Sequence, residues 1–219
     1  MTFTINNLTK FYWVLLLIGA TFILFAMESS DGRLFMGLIF LLLIALAIRS
    51  MSYKVHIKGR KITKKTLFTE RSINIFPESR IYITKNITSL YILYRHYNYA
   101  IKIINPNETL NINANVNDAD VLYELIAELE QKIILPVWFE RFSKQQSLKM
   151  DSHLSINNKG ITYKNKDYPY ESLSSIELEQ GYFRLKADGK LWQTSVLALP
   201  VSAIPNLTTF MTLIQQNQQ

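Results

Sequence analysis

Residues 11–27 read FYWVLLLIGATFILFAM, and residues 34–48 read LFMGLIFLLLIALAI. Neither stretch contains a charged side chain. At ~1.5 Å per residue the first stretch makes about 26 Å of helix, close to the ~30 Å hydrocarbon core of a bilayer. The second stretch is short for a span, but only six residues separate it from the first. We therefore predict two membrane helices, over about 9–27 and 33–50, that form an N-terminal hairpin.

Two other structures are compatible with apolar runs of this length. A 15-residue run is also typical of a buried core helix, and an N-terminal run is also typical of a signal peptide. The signal-peptide interpretation is weakened because Lys10 is the only basic residue before the run and no small-x-small cleavage motif follows it. The close succession of two runs favours a membrane hairpin over both alternatives.

Side chains at the ends of the two runs are typical of a membrane–water interface. Aromatic residues gather at such interfaces, and long basic side chains reach outward to the headgroups. The predicted interface anchors are Lys10, Tyr12, Trp13, Arg33 and Arg49.

The net charge of +7 is concentrated directly after the second run. Residues 49–102 hold twelve basic and two acidic side chains, whereas residues 1–48 are balanced and residues 103–219 carry a net charge of −3. Positive residues beside a span are retained in the cytoplasm. The sequence therefore predicts a multi-pass membrane protein with both termini in the cytosol.

From residue 53 onward, short β-branched and aromatic runs alternate with turn signals, which predicts strands. The first seven predicted strands are 53–58, 61–68, 72–76, 80–84, 88–95, 98–104 and 109–113. A helix with an apolar stripe follows them, with Asp118 or Asp120 as its cap and Pro136 as its end. Six more predicted strands are 152–157, 160–164, 167–170, 173–179, 181–186 and 190–196. Pro205-Asn206 then opens a last helix, for which Asn206 is the predicted N-cap.

Strands followed by one helix thus occur twice, which predicts an α+β membrane protein with an internal repeat. The expected organisation is a transmembrane hairpin at 1–50, a first module at 51–135, a linker at 136–150 and a second module at 151–219. Each module is expected to be a small β-sheet or barrel with a C-terminal helix. The aromatic residues of segment 135–142 are expected to pack between the modules, with insertion into lipid headgroups as the alternative.

This layout resembles the bacterial membrane proteins that carry pleckstrin-homology-like (PH-like) domains, a group largely of unknown function. The second half carries most of the resemblance, through Gly160-Ile161, Tyr168-Pro169-Tyr170, Leu173, Ile176, Gly181, Phe183-Arg184-Leu185, Trp192 and residues 201–207. Relatives of this kind often have Trp where this chain has Tyr170. The resemblance implies tandem PH-like domains over roughly residues 50–219 and a location in a bacterial inner (cytoplasmic) membrane, and it implies no catalytic residue.

Residues that support catalysis are sparse. The chain has no cysteine, which excludes disulfides, thiolate metal sites and cysteine nucleophiles. His56, His96 and His153 have no second ligand at metal-binding spacing, and no nucleotide-binding or hydrolase motif occurs. Glu177 and Glu179 share a strand face, and we interpret them as solvated, with acid–base chemistry as the alternative. We expect no enzyme activity, cofactor, metal or small-molecule substrate.

The basic stretch after the second run is the strongest functional signal. Lys54, His56 and Lys58 alternate with apolar residues, so they are expected on one strand face. An anionic leaflet attracts each nearby basic side chain by about 1 kcal/mol. The candidate lipid-contact residues are Lys54, Lys58, Arg60, Lys61, Lys64 and Lys65. The same charges are equally compatible with a role in setting topology alone.

The sequence therefore predicts a membrane-anchored, non-enzymatic binding or scaffold protein whose modules contact a protein partner or the anionic membrane surface. The alternative is an accessory subunit of a membrane complex held through the hairpin, and self-association is also open. The small residues that permit close helix packing in that alternative are Gly19, Ala20, Gly37, Ala45 and Ala47. Nucleic-acid binding is not expected, although Tyr91, Tyr94, Tyr97 and Tyr99 resemble a stacking surface.

Overall fold

The computed structural model describes residues 1–26, 29–90, 94–187 and 195–216 of the 219-residue chain. Within these ranges, side chains are described at all positions except 30, 86–90, 94–98 and 114.

Two apolar helices form the predicted hairpin. Helix α1 covers Asn7–Ala26 and helix α2 covers Ser30–Met51, and the two pack against each other. Both are long and apolar enough to cross a membrane. Of their described residues, only Ala20 and Ala47 are buried. Many large apolar side chains on both helices are exposed, and soluble proteins rarely expose contiguous apolar surface of this kind.

The hairpin is inserted between the first two strands of a sheet. Strand β1, Thr2–Thr4, pairs antiparallel with strand β2, Lys54–Lys58, and Phe3 of β1 is buried opposite Val55. The N-terminal amine also donates a hydrogen bond to the Ile57 carbonyl at 2.7 Å. Strand β1 was not predicted from the sequence. Its pairing places the N-terminus and the rest of the chain at the same end of the two helices.

The first half contains a four-stranded and a three-stranded antiparallel sheet. Strands β3, Lys61–Lys65, and β4, Glu70–Asn74, complete the order β1-β2-β3-β4. Strands β5, Arg80–Leu90, β6, Tyr94–Ile104, and β7, Thr109–Ala114, form the second sheet. The prediction of three strands over 80–104 was wrong. Strands β5 and β6 stay paired over eleven positions because no glycine or proline interrupts either of them.

The second half repeats this plan. A four-stranded sheet is made by β8 (Leu148–Lys149), β9 (Leu154–Asn157), β10 (Gly160–Tyr163) and β11 (Lys166–Pro169). A three-stranded sheet is made by β12 (Leu173–Glu179), β13 (Tyr182–Ala187) and β14 (Ser195–Pro200). Single 3₁₀ turns, Tyr170–Ser172 and Val201–Ala203, precede β12 and the last helix, α5 (Leu207–Gln216). The short β8–β9 connection therefore occupies the place that the helix hairpin occupies in the first half.

A continuous helical segment joins the halves. It comprises α3 (Ala119–Leu129), a π-helical turn (Glu130–Ile134) and α4 (Leu135–Ser143). The prediction that Pro136 ends the helix was wrong, because the π turn changes the hydrogen-bond register just before the proline, which then lies in the first turn of α4. The segment predicted as a linker therefore contains α4 and β8.

The prediction that Asp118 or Asp120 caps α3 was also wrong. Asp118 precedes α3 without a side-chain capping bond, and Asp120 accepts a hydrogen bond from Tyr99.

Most of the buried apolar residues form one cluster that runs from Phe3 to Ile214. Helix α4 contributes Trp138 and Phe142, and the Trp138 indole donates a hydrogen bond to the Pro77 carbonyl at 2.8 Å. The prediction that aromatic residues of segment 135–142 pack internally is confirmed for these two side chains.

Buried polar groups attach α5 to the first half. Asn206 is fully buried at φ 51°, and its backbone N–H donates to the Ile81 carbonyl at 2.8 Å. Its side-chain oxygen accepts from the Ile81 N–H, and its side-chain nitrogen donates to the Ser79 carbonyl, both at 2.9 Å. The prediction that the Asn206 side chain caps α5 was therefore wrong. Glu130 occupies that role, because its buried carboxylate accepts the Thr209 N–H at 2.6 Å.

Gly160 is expected to tolerate no side chain. A Cβ atom at this position would lie 2.9 Å from the Pro169 Cα and would also collide with the Tyr168 carbonyl, both backbone groups. We expect Gly160→Ala to destabilise the folded chain by about 1–3 kcal/mol, measured as thermal unfolding in detergent. Gly37→Ala is the matched control, because a Cβ there meets nothing within 4 Å. Equal unfolding temperatures for the two variants would contradict this contact.

Candidate functional site: a basic sheet face beside the helix hairpin

The register of β2 and β3 collects four lysines on one face. Lys54 lies opposite Lys65, and Lys58 lies opposite Lys61. Directly opposed residues of an antiparallel pair point to the same side of the sheet. His56 lies between the two lysine pairs, and its Nδ1 is 2.8 Å from the Thr2 hydroxyl of β1. We call this surface, made by Lys54, His56, Lys58, Lys61 and Lys65, the basic face. The predicted alternation of Lys54, His56 and Lys58 is confirmed.

The structure does not bring the other two candidates onto the basic face. Lys64 points to the opposite side, where its amine donates to the Asn111 carbonyl at 2.9 Å and lies 5.6 Å from the centre of the Tyr53 ring. Burial, with a smaller contribution from Arg71, lowers the pKa of the Lys64 amine. Arg60 is exposed in the β2–β3 turn after Gly59, which has a φ of 57°.

The basic face has an end near the helices and an end far from them. Lys54 follows the last residue of α2 by three positions, whereas Lys58 lies about 13 Å further along the strand at ~3.3 Å per residue. At the near end Lys65 forms an exposed salt bridge with Glu70 at 3.4 Å. The near end therefore carries less net charge than the far end, where Lys58, Arg60 and Lys61 lie together.

The predicted interface anchors lie at two ends of the hairpin. Lys10, Tyr12 and Trp13 are in the first two turns of α1, and Arg49 is in the last turn of α2, so all four lie at the end that joins the sheet. Arg33 lies in the first turn of α2, at the opposite end.

Asparagine side chains form hydrogen bonds to the start of α1. These asparagines were not among the predicted site residues. The Asn117 side chain accepts the Asn7 N–H at 3.1 Å, and the Asn115 side chain donates to the Thr9 hydroxyl at 3.0 Å. The Asn117 backbone N–H also donates to the Thr4 carbonyl at 2.8 Å. The asparagine-rich sequence of residues 111–117 was the available signal. These bonds fix the direction in which the hairpin leaves the sheet.

The two acidic residues considered for catalysis are in ion pairs. Glu177 accepts a hydrogen bond from the Lys186 amine at 2.7 Å and one from the Ser175 hydroxyl at 2.8 Å. These two bonds hold the pKa of the Glu177 carboxyl below its usual range. Glu179 lies 3.8 Å from the Arg184 Nε. In the described part of the chain, no three His, Cys, Asp or Glu side chains are grouped so as to hold a metal ion.

The aromatic surface considered for base stacking is only partly described. Tyr99 is buried and stacks on Tyr123 with ring centroids 5.2 Å apart. Tyr91, Tyr94 and Tyr97 lie outside the described side chains, and so does His96.

Comparison with curated proteins and with solved structures found no match. A family model does match residues 2–219, and it therefore includes the helix hairpin and both halves of the sheet-containing region. The chain belongs to the family of unknown function DUF6585.

Proposed function

We propose that this protein is a non-enzymatic binding protein anchored in a bacterial inner membrane, and that its basic face contacts the anionic surface of the cytosolic leaflet. The observation that carries the proposal is the insertion of the hairpin between β1 and β2, because it attaches the basic face directly to the apolar helices. The excess of basic residues after α2 supports cytosolic termini.

We further propose that each half is a PH-like module. The support is the repeated order of a four-stranded sheet, a three-stranded sheet and a C-terminal helix. In this proposal the second module, which lies away from the hairpin in sequence, is available to a protein partner.

An accessory subunit of a membrane complex is the second candidate. Both helices expose large apolar side chains, and helices of a partner protein could cover them in place of lipid. This exposure favours the second candidate. Gly19 and Gly37 have open space around their α-carbons, so they do not mediate the contact between α1 and α2. A partner that co-purifies in detergent with residues 1–51 alone would favour this candidate.

Charge reversal on the basic face is expected to release it from the membrane surface. The full chain would carry a fluorescent label at Ser72→Cys, beside the basic face, in nanodiscs with acceptor-labelled headgroups. We expect energy transfer to be higher in anionic than in neutral discs and to fall as salt screens the attraction. The variant Lys54→Glu, Lys58→Glu, Lys61→Glu is expected to lose about 3 kcal/mol of attraction or more.

The matched control is a triple variant of three exposed lysines in the second half: Lys149→Glu, Lys159→Glu, Lys166→Glu. This variant makes the same change of net charge away from the hairpin, and we expect it to keep the lipid-dependent energy transfer. If energy transfer in the unmodified chain is the same in anionic and neutral discs, lipid contact is contradicted. The basic residues would then act only in setting the membrane topology.

A further inference from the structure

The turn between β3 and β4 exposes two large apolar side chains. Leu67 is 45% exposed and Phe68 is 83% exposed, which is the largest exposed fraction of any large apolar side chain in the described part of the chain. Turns are normally polar. The prediction of a strand over 61–68 was wrong at its end, because β3 ends at Lys65. The apolar pair therefore lies at the tip of a turn, where water surrounds it unless another apolar surface covers it.

The turn lies at the end of the sheet that adjoins the helices. Strand β3 runs toward α2, because Lys65 lies opposite Lys54 and β2 begins three residues after α2 ends. Thr66 bonds to Thr69 across the turn, so the tip extends about two residues beyond Lys65, to about the level of residue 52. Neighbouring strands are ~4.8 Å apart, so the tip is also close to this segment laterally. Phe68 therefore lies near the level at which α2 ends, directly after Met51.

The two threonines of the turn satisfy part of its polar groups by bonding to each other. The Thr66 N–H donates to the Thr69 carbonyl at 2.8 Å, and the two threonine hydroxyls lie 2.7 Å apart. The Thr69 N–H also donates to the Thr66 hydroxyl at 3.3 Å. Backbone groups without partners are costly in an apolar medium. The bonds between Thr66 and Thr69 therefore lower the cost of moving the turn into the hydrated headgroup region.

Basic side chains flank the turn on both strands. Lys64 and Lys65 precede it, Arg71 follows it, and Glu70 pairs with Lys65. The segment from 64 to 71 therefore carries a net charge of +2 around an apolar tip. This combination suits an anionic bilayer surface, which offers negative headgroups outside and acyl chains beneath them.

We propose that the Leu67-Phe68 turn inserts into the leaflet beside α2, with Phe68 at the boundary between headgroups and acyl chains. The ligand is an anionic bilayer. The inference rests on the membrane location of the helices proposed above, and it goes beyond the basic face because it assigns penetration by an apolar tip. A third point of attachment, besides α1 and α2, fixes the rotation of the first sheet relative to the membrane plane.

The absence of cysteine from the chain permits a direct test by depth-dependent quenching. Leu67→Cys, which leaves Phe68 in place, would carry an environment-sensitive fluorophore in the full chain, reconstituted in vesicles that contain phosphatidylglycerol. Ile23→Cys on α1 is the membrane control and Lys159→Cys, exposed in the second half, is the aqueous control. We expect acyl-chain quenchers to reach the Leu67 and Ile23 probes and aqueous iodide to reach the Lys159 probe.

A second variant tests whether the apolar tip causes insertion. Adding Phe68→Ser to Leu67→Cys is expected to raise iodide quenching of the probe about tenfold, because the inserted state loses its main apolar contact. An Ile23 probe quenched by lipid together with a Leu67 probe quenched by iodide would overturn this inference and leave the proposed membrane location intact. A Leu67 probe shielded from both quenchers would also overturn it and would indicate a protein contact. An Ile23 probe quenched by iodide would overturn the membrane location itself.

Discussion

Replacing Asn206 by alanine is expected to destabilise the folded chain by about 4 kcal/mol, close to the lower end of the stability of ordinary domains. The substitution leaves the Ile81 N–H and the Ser79 carbonyl without their partners at a buried position. It also places a residue with a Cβ at φ 51°, a left-handed conformation that asparagine tolerates better than alanine. Thermal unfolding of the full chain in detergent would measure the loss.

Asn206→Gly separates the two causes. Glycine adopts the left-handed conformation freely, so this variant loses only the side-chain hydrogen bonds. We expect it to be about 1 kcal/mol more stable than Asn206→Ala. Hydrogen exchange at the Ile81 amide should accelerate in both variants. An alanine variant as stable as the unmodified chain would show that Asn206 does not join α5 to β5.

Ionisation of Glu130 is expected to weaken the folded state as pH rises. Burial raises the pKa of the Glu130 carboxyl from its ordinary value of 4.5 to about 7, although the hydrogen bond from the Thr209 N–H opposes the shift. Between pH 4.5 and about 7 the folded chain therefore holds a proton that the unfolded chain has released. Stability contributed by this group is complete below pH 4.5 and falls by about 3 kcal/mol as pH rises through that window.

Glu130→Gln should remove this pH dependence. The glutamine amide oxygen can still accept the Thr209 N–H, and it carries no charge to desolvate. We expect the variant to be more stable than the unmodified chain near pH 8, measured by denaturant unfolding in detergent and by hydrogen exchange of Leu207–Gln216. Glu128→Gln is the control. It makes the same chemical change at an exposed position of α3, where Glu128 forms a salt bridge with Lys132. Parallel pH profiles for Glu130→Gln and the unmodified chain would contradict the assignment.

The sequence predicted the elements whose signals are local. Uninterrupted apolar runs located α1 and α2, and alternation located β2 and its lysines. Strand β1 was missed because three residues carry little pattern and its partner lies beyond the whole hairpin. Pro136 was misinterpreted because the π turn that accommodates it has no sequence signal.

Only part of the candidate site was predictable from the sequence, namely the part that depends on the pattern within a single strand. Lys54 and Lys58 are in one strand, so their common face follows from a period of two. Lys64 was grouped with them by proximity in sequence, but its register partner Val55 shows that it points to the opposite side. The role of Asn206 depends on groups about 125 residues away, which no local pattern encodes.

The most direct test of the central claim is cysteine labelling of the full chain in intact bacterial cells, since the unmodified protein has no cysteine. Ser29→Cys lies just before α2, at the end of the hairpin away from the sheet, and Arg60→Cys lies in the turn between β2 and β3. A membrane-impermeant maleimide should label Ser29→Cys in intact cells and should label Arg60→Cys only after the membrane is permeabilised. Labelling of Arg60→Cys in intact cells, or recovery of the protein in the soluble fraction, would contradict a membrane hairpin that holds its sheet at the cytosolic surface.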